Sequence, residues 1–187
     1  MAADEKSFFG SVAPSAYANV SLENCDKQPL EYIEWARNWA IEPTSVFLCG
    51  GYGTGKTHFA FAMIREVFRA CPRKIWPRYF TSPTLDSRLL KAVKSEDGDE
   101  FALRDAAEQD LLFIDDLGRE TKSERLKRQY FEILNYRHVH HLPTILTSNF
   151  NLDQLGEVID GAIASRIQEW QTIEFTGRDL RKQNWMP

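Results

Sequence analysis

Gly50-Gly51-Tyr52-Gly53-Thr54-Gly55-Lys56-Thr57 is a complete G-x-x-x-x-G-K-T. The apolar run Ser45–Cys49 leads into it, which reads as a buried strand. A helical pattern over Thr57–Arg69 leads out of it, with Phe59, Met63 and Val67 in one row and Ala60, Ile64 and Phe68 in the next. Strand, glycine loop and helix in that order are the context a phosphate-cradling loop requires. Glycines let consecutive N–H groups turn inward without a Cβ in the way. The helix start adds its partial positive charge. On this reading Gly50 to Thr57 bind ATP, Lys56 meets the β- and γ-phosphates, and the Thr57 hydroxyl sits on Mg²⁺. A chance glycine turn is the bland alternative, and the flanking strand and helix argue against it.

Two later strands supply matching chemistry. Leu111-Leu112-Phe113-Ile114 is a continuous apolar run ending in Asp115 and Asp116. Acidic residues after a strand are ordinary turn formers, but downstream of a P-loop they read as a Walker B pair. Asp115 is then expected to hold Mg²⁺, and Asp116 to orient and polarise the attacking water. Pro143-Thr144-Ile145-Leu146-Thr147-Ser148-Asn149 is a strand with a polar end. The Asn149 amide could bond both the γ-phosphate and the lytic water, or be a plain turn residue.

Further strands are expected at Arg78–Thr81 and Thr172–Phe175, and helices around Leu30–Ala40, Leu85–Val93, Leu126–Arg137 and Ala162–Glu169, with another capped by Asn151 or Asp153. Ser95–Glu100 reads as an acidic loop. Strands alternating with helices predict an α/β domain around a five-stranded, mainly parallel sheet. Residues 1–20, polar and rich in small residues, read as a loose N-terminal arm before a domain over 21–187. The chain of 187 residues carries a net charge of -4, which argues against a surface built wholly for nucleic acid. Arg119, Lys122, Arg125, Lys127 and Arg128 cluster, as do Arg65, Arg69, Arg73, Lys74 and Arg78; solvated helix faces are the simpler reading of both. Cys25, Cys49 and Cys71 show no CxxC, and no apolar run is long enough for a membrane. A cytoplasmic setting follows as the expectation.

Taken together, these motifs resemble AAA+ ATPases. More narrowly, they resemble the clade of bacterial replicative-helicase loaders (DnaC and DnaI type) and the insertion-sequence transposition helpers (IstB type). The likeness rests on Gly53-Thr54-Gly55-Lys56-Thr57-His58, Ile114-Asp115-Asp116-Leu117-Gly118, Asn135-Tyr136-Arg137 and Pro143–Asn149, and runs from about Ser21 to Arg181. It implies a three-layer P-loop NTPase fold without a separate lid, and it adds His58 to the nucleotide-binding set. It makes Asn149 the sensor-1 residue. Ala164-Ser165-Arg166-Ile167 matches the segment carrying an arginine finger, so Arg166 is expected on a neighbour's ATP. Gly177-Arg178-Asp179-Leu180-Arg181 matches the sensor-2 stretch, giving Arg181, with Arg178 as the alternative. It also implies a head-to-tail oligomer, a replication or transposition partner such as a replicative helicase, and weak single-stranded DNA binding through Arg88, Lys91 and Lys94. A nucleotide-gated binding module with little turnover is a rival reading, and a small-molecule kinase a weaker one.

Overall fold

The computed structural model describes residues 2–92, 98–118 and 122–180. Its centre is a five-stranded sheet in the order β2-β3-β4-β1-β5. The strands are β1 (Val46–Gly50), β2 (Pro77–Thr81), β3 (Leu111–Leu117), β4 (Thr144–Ser148) and β5 (Gln171–Phe175), and every pairing among them is parallel. Strands buried on both faces need continuous apolar sequence rather than alternation. Val46 to Leu48, Leu111 to Ile114, and Ile145 and Leu146 meet that need with no exposed surface.

Alternate side chains of these strands feed two separate cores. On one face Val46, Leu48 and Phe113 pack with α1 (Ala2–Ser11), α2 (Leu30–Trp39) and α3 (Lys56–Ala70). On the other, Phe47, Leu112, Ile114 and Leu146 pack with five helices. These are α4 (Ser82–Ala92), α5 (Gly98–Ala107), α6 (Glu124–Val139), α7 (Leu152–Val158) and α8 (Gly161–Ile167). The result is the three-layer α/β architecture expected from the sequence. Asn151, not Asp153, caps α7, accepting from the Gln154 N–H at 2.9 Å.

Three expectations are corrected. The supposed loose arm contains α1, whose Phe8 and Phe9 are buried against α3 and whose Asp4 and Glu5 pair with Lys74 and Arg65. The supposed acidic loop is helical from Gly98 onward, as the start of α5. Lys122 is not on a solvated face; it is buried and paired with Asp86 of α4 beside the Tyr130 and Ser82 hydroxyls. The other basic cluster is largely the solvated surface expected: Arg69, Arg73 and Lys74 are exposed, and Arg65, Arg69, Lys74 and Arg78 pair with carboxylates. Arg119 and Lys94 lie outside the described residues.

Candidate nucleotide site

Parallel sheets gather their ligand sites at the carboxyl ends of the strands. Here the ends of β1, β3 and β4 converge on a cavity of about 680 Å³ lined by Lys56, Thr57, His58, Asp115, Asp116 and Asn149 among others. The glycine loop is shaped by positions no other residue would fill. Gly50 has φ 132°, and a Cβ there would stand 2.1 Å from the Phe175 carbonyl oxygen. Gly55 has φ 98°, and its Cβ would meet the Gln28 side-chain nitrogen at 2.8 Å. That same nitrogen donates to the Thr54 carbonyl at 2.9 Å, tying the segment before α2 to the loop. From the other side the Leu180 N–H donates to the Gly53 carbonyl at 2.9 Å, so the strand-following segment straps the loop down.

The polar side chains form two linked sets. Lys56 Nζ donates to the carbonyls of Gly50 and Gly51, at 2.6 and 2.8 Å, and to Asn149 Oδ1 at 2.9 Å. The other end of the Asn149 amide donates to Asp116 Oδ1. Lysine, amide and carboxylate thus stand in a row across the cavity floor. In the second set Asp115 Oδ1 accepts from Thr57 Oγ1 at 2.8 Å and from Thr147 Oγ1 at 2.6 Å. Burial pushes the Asp115 carboxyl above the usual carboxylate range, against the pull of those two hydrogen bonds. Two oxygen donors side by side suit a hard cation such as Mg²⁺, which takes one or two protein oxygens and keeps the rest for water and phosphate.

Asp116 is placed by a break in the sheet. The β3–β4 register shifts between Ile114 and Leu117, and Asp116 takes φ 61°. Its N–H leaves the ladder and donates to Thr147 Oγ1 at 2.8 Å. A bulge of this kind re-aims a side chain, here out of the sheet and toward Asn149. Thr147 therefore holds the Asp115 carboxylate and the Asp116 backbone N–H. Strand alternation puts it on the face of Ile145, two residues before Asn149, a signal the sequence does contain. Gln28 and Leu180 give no such local signal, because their contacts are purely tertiary.

Tyr17, Asn24, Cys25, Asp26, Lys27 and Tyr52 also line the cavity. The His58 ring nitrogen Nε2 sits 3.2 Å from Asn24 Oδ1, and burial pushes its pKa down. Arg166 is not among the lining residues; it lies on α8, against Asn135 of α6. Arg178 also stands outside the cavity and is exposed, and Arg181 lies outside the described residues. The structure thus brings together the sequence-predicted residues from Tyr52 to Asn149 and leaves the arginines apart.

Known proteins share this fold. The profile of the IstB-like ATP binding protein family matches residues 23–182. The phage-like element PBSX protein XkdC of Bacillus subtilis (strain 168) is 34% identical over 134 residues, a match covering 67% of this chain and 47% of that protein. The chain therefore spans about half the length of this relative. A crystal structure of DnaI superposes with a TM-score of 0.72 at 25% identity, covering 89% of this chain and 93% of that one. The DnaC helicase loader gives 0.76 at 22% identity, covering 87% and 100%. With the family matched over residues 23–182 and the fold shared with these structures, this chain belongs to the IstB-like ATP binding protein family of AAA+ P-loop domains.

Proposed function

We propose that this chain binds Mg-ATP and hydrolyses it at contacts between its own copies, in a replication-associated role like that of a helicase loader. What carries the reading is the row Lys56–Asn149–Asp116 beside the pair Thr57–Asp115 on one cavity floor. Lys56 faces three acceptors now, and the γ-phosphate of ATP would take their place. Thr57 and Asp115 would hold Mg²⁺, which supplies charge neutralisation on the phosphates. Asp116, aimed by the bulge, would accept hydrogen bonding from the attacking water and polarise it. Asn149, now bonded to both Lys56 and Asp116, would donate from Nδ2 to the γ-phosphate and accept at Oδ1 from the attacking water.

No arginine lines the cavity among the described residues. Lys56 and Mg²⁺ would meet part of the charge developing on the γ-phosphate, and Arg166 of a neighbouring copy would meet the rest. Arg181 is proposed as the sensor-2 residue from sequence alone. Cytoplasmic action fits a chain in which no described helix is long and apolar enough to cross a membrane.

Lys56→Ala tests the site itself. It removes the charge that meets the β- and γ-phosphates, and binding of a fluorescent ATP analogue should disappear while the melting curve stays. Retained affinity would place the nucleotide elsewhere. The partner class is tested by capturing proteins from the source lysate with and without ATP. A replicative helicase in the ATP-dependent fraction supports the loader reading. A transposase would shift it to the transposition-helper role that the IstB likeness favours.

A further inference from the structure

Most ion-pairing arginines here are neutralised within the chain: Arg37, Arg65, Arg69, Arg78, Arg88 and Arg104 each sit against a carboxylate. Arg166 is held differently. Its Nε donates to Asn135 Oδ1 at 3.1 Å, and its guanidinium carbon stands 5.6 Å from the centre of the Phe131 ring. Both contacts come from one face of α6, since Phe131 and Asn135 are one turn apart. That helix is itself pinned two residues on. The buried Arg137 donates to the carbonyls of Ala107, Gln109 and Pro143 at 2.8, 2.7 and 2.6 Å, and to the Thr144 hydroxyl at 2.8 Å.

The chemistry of this support matters. A carboxylate at residue 135 would fix Arg166 equally well and cancel its charge. A neutral amide fixes the side chain and leaves the charge whole. Anchoring through Nε also leaves both terminal nitrogens for the two-point contact that guanidinium makes with phosphate oxygens. The ring beneath gives a face on which the planar group rests.

We infer that Asn135 is the positioning residue for Arg166, holding it extended and fully charged before a neighbouring copy brings its nucleotide. This rests on the reading of Arg166 as the trans-acting arginine. Alanine is the better helix former and Asn135 is only half-buried, so Asn135→Ala leaves folding intact. Misplacing a catalytic group by about an ångström costs up to roughly 100-fold in rate. Asn135→Ala in the full chain should therefore lower ATP turnover by about 10- to 100-fold, with analogue affinity and melting temperature unchanged. Asn135→Asp, of the same shape, should lower it at least as far.

Mixing with Lys56→Ala chains distinguishes the causes. Those chains hold no ATP but donate an intact Asn135–Arg166 pair, so they should restore turnover to Asn135→Ala and to Arg166→Ala alike. The double variant Lys56→Ala/Asn135→Ala should restore neither. If Arg166→Ala is inactive and rescued while both Asn135 variants turn over normally, the positioning role is wrong and the trans arginine stands. Loss in the Asn135 variants without rescue, from chains shown to co-assemble, also overturns it. Normal turnover in Arg166→Ala sinks the trans-arginine reading and the role of Asn135 with it. Should Asn135→Ala melt early, Asn135→Ser, which also falls short of Arg166 but keeps a polar group at this half-buried position, carries the same comparison.

Discussion

Asp115 and Asp116 are adjacent in sequence and opposite in physical circumstance. Asp115 lies in the sheet, buried, with two hydroxyls donating to one oxygen and the nearby Lys56 charge offsetting its desolvation only in part. Taking an ion out of water costs several kcal/mol unless it is fully compensated. Asp115→Asn should thus raise the stability of the nucleotide-free protein by roughly 0.5–2 kcal/mol while removing Mg²⁺-dependent nucleotide affinity. Urea melts with and without Mg-ATP measure both effects, and a destabilised variant would argue that the buried charge is already compensated. Asp116 instead holds a left-handed backbone, φ 61°. Asparagine tolerates that region as well as aspartate does, so Asp116→Asn changes charge and little else. Turnover should fall by about 10²–10⁴-fold with ATP binding retained. An undiminished rate would move the polarising role to another group.

At the scale of elements, the parts of this fold that the sequence shows plainly are those built from large apolar side chains. β1, α3, β3 and β4 form continuous runs or clear rows, and they carry the polar groups of the cavity floor at their ends. α5 hid because its buried residues are Ala102, Ala106 and Ala107, which contribute little hydrophobic signal, while of its two large apolar residues Phe101 is 67% exposed and Leu103 only partly buried. α1 hid for the opposite reason: its charged residues suggested solvent, yet Asp4 and Glu5 are occupied by Lys74 and Arg65. The bulge at Asp116 and the Gln28 contact were illegible because both depend on which strands and segments become neighbours. Phe8, 3% exposed, gives the test of α1. Phe8→Ala should cost about 3 kcal/mol, a fall of roughly 6–12 °C in melting temperature for a domain of this size. No shift would mean that the helix is detached in solution.

The whole molecule is an acidic ATP-binding domain whose nucleotide cavity contains no arginine among its described lining residues. If Arg166 completes a neighbour's site, dilute protein should be nearly inactive and specific activity should climb with concentration, since a trans arginine is worth roughly 10³–10⁵-fold. A rate per chain that ignores concentration would count against shared sites. DNA binding belongs to the same scale. Arg88 of α4 already pairs with Asp105 at 2.7 Å, and the cations along α3 are occupied too. Affinity for single strands should accordingly be weak, falling by about 0.7 log unit per tenfold rise in salt for each phosphate met. Electrophoretic shifts across a salt series measure that slope, and tight salt-insensitive binding would contradict it. The strap at Leu180 has a practical consequence for watching this machine. The three native cysteines are buried, and burial pushes the Cys25 thiol up to about 12, so all three should resist maleimide dyes. Thr176 is exposed, four residues before the Leu180–Gly53 bond. A dye on Thr176→Cys would sit beside the loop that the γ-phosphate enters, and its anisotropy should step with nucleotide loading and release, giving an optical clock for each turnover.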